Sequence, residues 1–499
     1  MGSSLLILGT SSGAGKSTVV TGICRWLHRQ GISVAPFKAQ NMSLNSYVTV
    51  DQGEMGRAQV VQAQAAGVVP EVTMNPVLLK PGTDTTSQII VLGRPVGNLD
   101  AARGWHRKHE LLDVVLEAHR DLQRRFDVVI CEGAGSPAEI NLRSSDIVNL
   151  GFARAAGVPA LLVGDIDRGG VFASLVGTMA VLESEDQDLV RGFIINKFRG
   201  SKELLGDGID QLTALTGRPT LGILPLLRGL EIDAEDATDF TSWADGEAPL
   251  GDEVLTIGVV ALPRASNLTD VDPLVDEPGV VLRALYRPEQ MQDCDLVILP
   301  GTRATVNDMA WLRARGFADA LQKRAAQQRP IFGICGGYQM LGTTIDDDVE
   351  SGTGRVGAFG LLPVRTVFHS EKVVTQTRQM LADGTTVHGY QIHHGEVVVE
   401  GGRELLPGEG CVDGPVAGST WHGLFENDLW RRRFLTEVAE STDRRFVAAA
   451  STNFARRRED RIDALADLIE EHLDTESLRA LLDSPHRATL AHVTLGRQP

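Results

Sequence analysis

Paired cysteines, long apolar runs and an excess of positive charge are all missing from this 499-residue sequence. The five cysteines form no C-x-x-C pair, which excludes a zinc ribbon, disfavours a disulfide framework and fits a reducing cytoplasm. No apolar run approaches the roughly 20 residues of a membrane-spanning helix. Lys and Arg number 48 against 65 Asp and Glu, so the net charge of −17 favours neither nucleic acid nor an anionic membrane as a partner.

A glycine-rich turn near the start of the sequence predicts a nucleotide site. The motif GTSSGAGKS over 9–17 lies between an apolar strand predicted over 4–8 and a helix predicted over 17–30. Such a turn and helix N-terminus surround phosphate with backbone N–H groups. We expect Lys16 to reach the β- and γ-phosphates of ATP and the Ser17 hydroxyl to bind Mg²⁺. The other expected nucleotide contacts in this motif are Gly13, Gly15 and Thr18.

The spacing of this motif narrows the class of P-loop. Five residues, rather than the usual four, separate Gly9 from Gly15. The longer form resembles the dethiobiotin synthetase-like enzymes, which activate a carboxylate with ATP. Ser11 and Ser12 stand where partition-type P-loop ATPases carry an extra lysine, which argues against that group.

Polar residues follow several predicted strands in the first half of the chain. Strands that alternate with helices predict a doubly wound parallel sheet, whose carboxyl edge binds ligands. Glu132 ends the strand that starts at Asp127, and we expect it to face Mg²⁺ beside Ser17. Asn196 and Lys197 end another strand and are expected to contact the nucleotide.

Glu54 is a further candidate for a Mg²⁺ ligand. The composition of residues 54–67 predicts a helix that begins at Glu54 and ends on a glycine. That placement brings the carboxylate to the same edge of the sheet. An acid at a helix N-terminus also simply complements the helix dipole, so both interpretations stay open.

A second motif, GICGG over 333–337, predicts a nucleophile. Cys335 lies in a G-x-C-x-G frame between a predicted strand and helix, typical of an elbow in which small neighbours allow a strained turn that exposes the thiol. The helix N-terminus favours the reactive thiolate. The N–H of Gly336, with one from the loop at Gly301, is expected to form an oxyanion hole.

A cysteine nucleophile needs a base, and two histidine sites compete for that role. His422 lies at a glycine-flanked turn in GSTWHGLF over 418–425. His393 and His394 are adjacent in GYQIHHGE over 389–396. The residues alone leave the choice between these sites open.

Taken together, the motifs resemble the cobyric acid synthase family, glutamine-dependent amidases of cobalamin biosynthesis, from the P-loop to about residue 440. Besides the P-loop, the resemblance is carried by KAQNMSLNS over 38–46, NPVLLKP over 75–81, DIDRGG over 165–170, NKFRG over 196–200, LPGTRAT over 299–305 and GYQIHHG over 389–395. It implies Cys335 as the nucleophile, His422 as its base and Gln339 as a residue that holds glutamine. The implied substrate is adenosylcobyrinic acid a,c-diamide, amidated with ATP and glutamine at carboxylates b, d, e and g.

One departure from related enzymes concerns the third member of the glutaminase site. Many glutamine amidotransferases carry Glu two residues after the histidine, where this chain has Leu424. The cobyric acid group is likewise a dyad type. Glu426 lies nearby, but the pattern assigns it no role.

The expected architecture is an N-terminal P-loop, dethiobiotin synthetase-like doubly wound domain over 1–233 and a class I glutamine amidotransferase-like α/β domain over 253–440. An acidic linker is predicted over 234–252 and a helical tail over 441–499, with its helix packed on its own domain or on a second copy. Two other functions stay open. One is amidation of another polycarboxylate, cobyrinic acid or a cell-wall precursor, and the other is a non-catalytic P-loop regulator.

Overall fold

The computed structural model describes residues 2–82, 86–100, 108–227, 243, 247–483 and 490–494. Most of the linker predicted over 234–252 lies outside these residues, as does most of the tail beyond residue 483. Two six-stranded sheets form the centres of the described chain.

The first half alternates strands with helices, as predicted. Its strands are β1 (Ser3–Gly9), β2 (Val34–Phe37), β3 (Gln40–Met42), β4 (Ser46–Val48), β5 (Glu54–Gly56), β6 (Val77–Pro81), β7 (Thr86–Val91), β8 (Arg94–Asp100), β9 (Val128–Glu132), β10 (Ala160–Asp165), β11 (Val190–Phe198) and β12 (Thr220–Pro225). Its α-helices are α1 (Lys16–Arg29), α2 (Arg57–Ala65), α3 (Lys108–Arg125), α4 (Leu150–Ala156), α5 (Val171–Val181), α6 (Ser184–Gln187) and α7 (Gly208–Thr216).

The main sheet of this half has the order β12-β11-β10-β1-β9-β2, and every pairing in it is parallel. Leu5 and Ile7 of β1 pack into one core cluster, while Leu6 and Leu8 pack into another on the opposite face. Successive strand residues point to opposite faces, so an uninterrupted apolar strand is stable only where both faces are covered. The doubly wound fold expected from the sequence is confirmed.

Residues 54–56 do not begin a helix. Glu54 lies in β5, which pairs antiparallel with β4, and α2 starts three residues later at Arg57. Two small sheets, β3-β6-β7-β8 and β4-β5, therefore lie beside the main sheet. Strands of three residues such as β4 and β5 carry too little periodicity to be predicted from sequence.

The second half is also built of strands and helices. Its strands are β13 (Leu255–Val260), β14 (Val280–Leu285), β15 (Leu296–Leu299), β16 (Ile331–Ile334), β17 (Thr344–Asp347), β18 (Gly354–Gly357), β19 (Val364–Met380), β20 (Thr386–Val399), β21 (Cys411–Asp413) and β22 (Val416–Ser419). Its α-helices are α8 (Asp272–Val275), α9 (Thr305–Ala314), α10 (Phe317–Ala326), α11 (Gly336–Leu341), α12 (Asp428–Ser441), α13 (Phe454–His472) and α14 (Thr475–Asp483).

The main sheet of the second half has the order β14-β13-β15-β16-β22-β21, with only β21 antiparallel to its neighbour among these strands. The long hairpin of β19 and β20 forms a separate sheet with β17 and β18. The ends of β13, β15, β16 and β22 lead into the loops of the glutaminase motifs. The carboxyl edge of a parallel sheet thus gathers residues that are far apart in sequence.

The apolar stripe of helix α13 packs on the first half of the chain, not on the second half, which precedes the helix in sequence. Its apolar stripe shares a core cluster with α1, the helix that follows the P-loop: Ile462, Leu465 and Ile469 against Val19, Val20 and Ile23. A Cβ at Gly22 would lie 2.7 Å from the carbonyl oxygen of Leu465, so a glycine permits this close approach. The expectation that the terminal helix covers its own domain is therefore wrong.

No α-helix among the described residues combines the length and the apolar character that a bilayer crossing requires.

Candidate active sites

The P-loop is hydrogen-bonded to residues near the ends of two other strands, β9 and β11. The Lys16 ammonium donates to the carbonyl oxygens of Ser11 at 3.0 Å and Gly135 at 3.0 Å. Asn196 Nδ2 donates to the carbonyl oxygen of Ala14 at 2.9 Å. Gly15 has a φ of 91°, and a Cβ there would lie 2.1 Å from the Asn196 amide, so only glycine fits this position.

Lys197 also lies at the loop predicted to bind nucleotide. Its ammonium donates to the carbonyl oxygen of Gly13 at 2.6 Å and pairs with Asp165 at 3.0 Å. Thr18 is half-buried in the first turn of α1. The structure thus gathers all the predicted nucleotide residues around one helix N-terminus.

The two predicted Mg²⁺ ligands at the sheet edge are adjacent. The Ser17 hydroxyl donates to Glu132 Oε1 at 2.9 Å. Glu132 is buried, and its second oxygen accepts from the Gln62 side chain. A hydroxyl next to a carboxylate is an oxygen donor set that suits Mg²⁺, so these residues fit the metal.

Lys38 is a residue of this site to which the sequence had assigned no role. Its ammonium lies 2.8 Å from Glu132 Oε1, and both side chains are fully buried. A buried carboxylate is stable only with such partners, so Lys38 belongs to the same cluster as Ser17. The position of Lys38 just after β2 was the available signal, because ligand groups follow strands at this edge.

Glu54 is not part of that cluster. Its carboxylate binds the ammonium groups of Lys80 at 2.5 Å and Lys372 at 2.5 Å, and accepts from the Ser46 hydroxyl. Burial by itself would raise the pKa of Glu54, but the two lysines outweigh it and hold the pKa well below its usual range. The prediction of Glu54 as a Mg²⁺ ligand is corrected, since two cations already neutralise it.

Cys335 occupies a strained turn between β16 and α11. Its φ of 49° and ψ of −109° are unusual for a residue with a side chain. A Cβ at Gly337 would lie 2.1 Å from the carbonyl oxygen of Leu299, and one at Gly333 would lie 2.6 Å from Tyr338 Cα. The small neighbours of the motif are therefore required by close backbone approaches around the elbow.

His422 is hydrogen-bonded to a carboxylate that the sequence did not reveal. Its Nδ1 lies 2.7 Å from Asp270 Oδ2, and the N–H of Gly423 donates to Asp270 Oδ1 at 2.8 Å. Burial lowers the pKa of His422, but the charges of Asp270 and Cys335 and its hydrogen bonds to both residues raise it to about 10. The three side chains form one buried, electrostatically coupled group.

Asp270 lies on the 3₁₀ helix Leu268–Val271, in the connection that follows β13. The only signal in the sequence was a polar residue after a buried strand. Glu426, the nearby acid, is instead engaged by Arg57 of the first half at 2.5 Å.

The competing histidines have different surroundings. His393 Nε2 bonds the Gln391 side chain at 3.0 Å, and His394 Nδ1 bonds the carbonyl oxygen of His369 at 3.2 Å. Burial lowers the pKa of each to about 4. Their environment therefore favours neutral imidazoles, whereas that of His422 favours a proton.

The residues expected to hold glutamine surround the elbow. A Cβ at Gly336 would lie 3.1 Å from the backbone nitrogen of Thr302, and one at Gly301 would lie 3.3 Å from His422 Cε1. Gln339 Nε2 lies 3.4 Å from the carbonyl oxygen of Gly395. A cavity of about 820 Å³ adjoins this region, and residues that line it include Tyr338, His393, Glu409 and Thr420.

Two family models match the chain in a way that agrees with these sites. Residues 5–238 match the CobQ/CobB/MinD/ParA nucleotide binding domain, and residues 256–430 match the CobB/CobQ-like glutamine amidotransferase domain. Fold and sites together define the class: a glutamine-dependent amidotransferase with its own nucleotide-binding domain.

Relatives with similarity over almost the whole chain narrow the class further. The chain is 56% identical to a cobyric acid synthase of Streptomyces avermitilis over 491 residues, which cover 97% of each protein. It is 55% identical to one of Streptomyces coelicolor with the same coverage, and 49% identical to one of Mycolicibacterium smegmatis over 98% of this chain and 99% of the relative. The chain belongs to the cobyric acid synthase family, as the sequence motifs had suggested.

Proposed function

We propose that this protein uses ATP and glutamine to amidate the b, d, e and g carboxylates of adenosylcobyrinic acid a,c-diamide. Similarity to cobyric acid synthases along nearly the full chain supports this substrate. The observation that carries the proposal is the presence in one chain of a complete P-loop and of a Cys335–His422–Asp270 group. A non-catalytic regulator would need neither a strained thiol nor a charged histidine beside it.

In the glutaminase half-reaction, the Cys335 thiolate attacks the side-chain amide carbon of glutamine. His422 gives its proton to the departing ammonia, and water then releases glutamate from the thioester. Asp270 binds Nδ1 of His422, which leaves Nε2 for the sulfur and the leaving group. Backbone N–H groups near Gly336 and Gly301 are suited to stabilise the oxyanion.

In the synthetase half-reaction, a corrinoid carboxylate attacks the γ-phosphate of ATP to give an acyl phosphate. Lys16 offsets the charge that develops on the transferred phosphoryl group. Ser17 and Glu132 would hold Mg²⁺, which supplies further positive charge there. Gly13, Gly15, Thr18, Asn196 and Lys197 complete the proposed nucleotide site, and ammonia then displaces phosphate from the activated carboxyl.

Ammonia must travel from Cys335 to the acyl phosphate without being protonated, because ammonium is not a nucleophile. We infer a sheltered passage between the two halves of the chain. Contacts between them support this inference: Tyr47 packs edge-on against the buried Tyr390 at 4.9 Å, and Gln376 donates to the carbonyl oxygen of Val48 at 2.8 Å.

We also propose domains over 1–233 and 253–440, a linker over 234–252 and a tail over 441–499. The division into two six-stranded sheets supports these bounds. We propose a cytoplasmic location, which five free, buried cysteines support.

Mass spectrometry of the corrinoid product tests the proposed reaction. With the a,c-diamide, ATP and amide-¹⁵N glutamine, the product should gain four ¹⁵N amides. Omission of ATP should leave the substrate unchanged. Amidation of cobyrinic acid at a and c, with the a,c-diamide left untouched, would instead identify a different substrate specificity.

A further inference from the structure

Two asparagines join the halves of the chain next to the glutaminase site. Asn45 Oδ1 accepts a hydrogen bond from the backbone N–H of Leu268 at 3.1 Å. In return, the N–H of Ser46 donates to Asn267 Oδ1 at 2.9 Å. All four residues are buried, so water cannot replace either bond.

The pair lies at the start of the turn that carries Asp270. Asn267 precedes the 3₁₀ helix Leu268–Val271 with a φ of 51° and a ψ of 43°, a left-handed conformation that a side chain rarely adopts. The hydrogen bonds to Asn45 and Ser46, which belong to the first half of the chain, stabilise this conformation. Three residues further on, Asp270 binds both His422 and the N–H of Gly423. The orientation of the carboxylate therefore depends on a turn that the first half of the chain clamps.

Asn267 and Tyr47 also contact Tyr390, a second neighbour of His422. Asn267 Nδ2 lies 3.4 Å from the hydroxyl of Tyr390. The Tyr390 ring stacks on the His422 ring at 5.3 Å, and the backbones of these two residues form a two-way hydrogen-bonded bridge. Tyr47 packs edge-on against Tyr390. Residues 45–47 thus contact both the turn that carries the carboxylate partner of His422 and the tyrosine that stacks on His422.

The other end of this segment lies at the nucleotide site. Lys38 binds Glu132, which accepts from the P-loop residue Ser17. Asn45 follows Lys38 by seven positions, through the short strand β3. Residues 38–45 therefore connect Glu132 at the nucleotide site with the turn that carries Asp270, the partner of His422.

We propose that Asn45 and Asn267 are positioning residues for the glutaminase reaction: the synthetase half completes the glutaminase site by fixing the turn that orients Asp270 and His422. The proposal rests on the proposed glutaminase role of Cys335. It assigns a purpose to the end of the KAQNMSLNS motif, which neither half-reaction otherwise uses.

The variants Asn45→Ala and Asn267→Gly test this proposal in the full chain. Glycine at position 267 keeps the left-handed backbone accessible and removes only the amide, which separates the hydrogen bonds from backbone strain. Each variant should lower kcat for glutamate release about tenfold or more and slow alkylation of Cys335 by iodoacetamide near pH 7. Ammonia-dependent amidation should stay within twofold of the unchanged protein.

Gln376→Ala is the matched control. It removes a hydrogen bond that a side-chain amide donates across the same interface, to the carbonyl oxygen of Val48. This bond does not involve the turn at Asp270. Glutamate release in this variant should stay within twofold of the unchanged protein.

Three results would overturn the proposal. One is an equal loss with glutamine and with ammonia, the second is an equal loss in the Gln376 variant, and the third is no loss in either asparagine variant. Failure of the proposed function would look different, because the unchanged protein would then fail to amidate the corrinoid with ammonia. Glutamate release and Cys335 alkylation would still report on the turn in that case.

Discussion

Asp270 Oδ2 lies 2.7 Å from Nδ1 of His422, although the two residues are 152 positions apart in the chain. Many related amidotransferases place a glutamate two residues after the histidine, and here that position is Leu424. In this structure a carboxylate from the connection after β13 binds the histidine. The histidine therefore has an anionic partner despite the missing glutamate.

Asp270→Asn should lower glutamine-dependent turnover about 100-fold or more, with ammonia-dependent amidation preserved. The amide keeps the shape but not the charge, so burial then dominates and the pKa of His422 falls. Less imidazolium is then available near pH 7 to stabilise the thiolate. The rate of Cys335 alkylation by iodoacetamide measures this directly, and an unchanged rate would refute the role of Asp270.

Cys335→Ala should abolish glutamine-dependent amidation and leave ammonia-dependent amidation largely intact. The thiol serves only to release ammonia, and the synthetase site does not need it. Cys411→Ala, at another buried free thiol in the same half, is the control and should keep both activities. Equal loss with both nitrogen sources in the Cys335 variant would contradict the division of labour between the two halves.

Lys16→Ala should lower amidation about 100-fold or more with either nitrogen source. No nitrogen donor bypasses this lysine, because its charge is needed when the phosphoryl group is transferred. Steady-state rates with glutamine and with ammonia provide the measurement, and the exposed Lys202 offers a control substitution to Ala. Ammonia-dependent turnover at the normal rate would place carboxylate activation elsewhere.

Glu132→Gln should raise the Mg²⁺ concentration needed for half-maximal amidation and lower turnover, while glutamate release by Cys335 is spared. It should also destabilise the protein by about 3–5 kcal/mol, because the buried Lys38 loses its anionic partner. Adding Lys38→Met removes the other charge of this buried pair, so the double variant should regain stability but not activity. Normal Mg²⁺ dependence in the single variant would show that the metal carboxylate is a different residue.

His119→Gln should flatten the acid dependence of stability. His119 packs against Phe37 and Phe152, and burial, aided by Arg120, lowers its pKa to about 4. Between pH 6.5 and 4 the unfolded chain takes up a proton that the folded chain does not, so stability falls as the pH falls through this window.

The full difference for one such histidine is about 3 kcal/mol, reached near pH 4. Melting temperatures at pH 6.5 and pH 4 measure it, with the exposed His388→Gln as a control. The melting temperature of the His119 variant should drop less on acidification than that of the control. Equal drops would mean that His119 does not carry this dependence.

Local sequence determined the elements that present ligand groups. The predicted strand and helix around the P-loop correspond to β1 and α1, and the predicted elbow lies between β16 and α11. These features depend on apolar periodicity, small residues and turns within about 20 residues of sequence. They do not depend on contacts with distant parts of the chain. The gathering of Ser17 and Glu132 was also predictable, because parallel strands end at the same edge of a sheet.

Prediction failed where a distant partner outweighed local preference. Residues 54–56 have helical composition, but pairing with β4 and two lysines hold Glu54 in a strand. Likewise, the apolar stripe of α13 predicted a buried face without saying which half of the chain buries it. The stripe packs on helix α1, in a core cluster that also contains residues of the first sheet.

The sequence by itself determined the family, the two sheets, the P-loop and the thiol elbow. Only the tertiary structure decided that Asp270 binds His422, that burial favours neutral imidazoles at His393 and His394, and that Asn45 reaches the glutaminase turn. Hydrogen bonds and charges act over a few ångströms, and sequence periodicity does not specify which loops approach each other that closely. That choice is made by the packing of whole elements, when two sheet edges that are far apart in the chain meet.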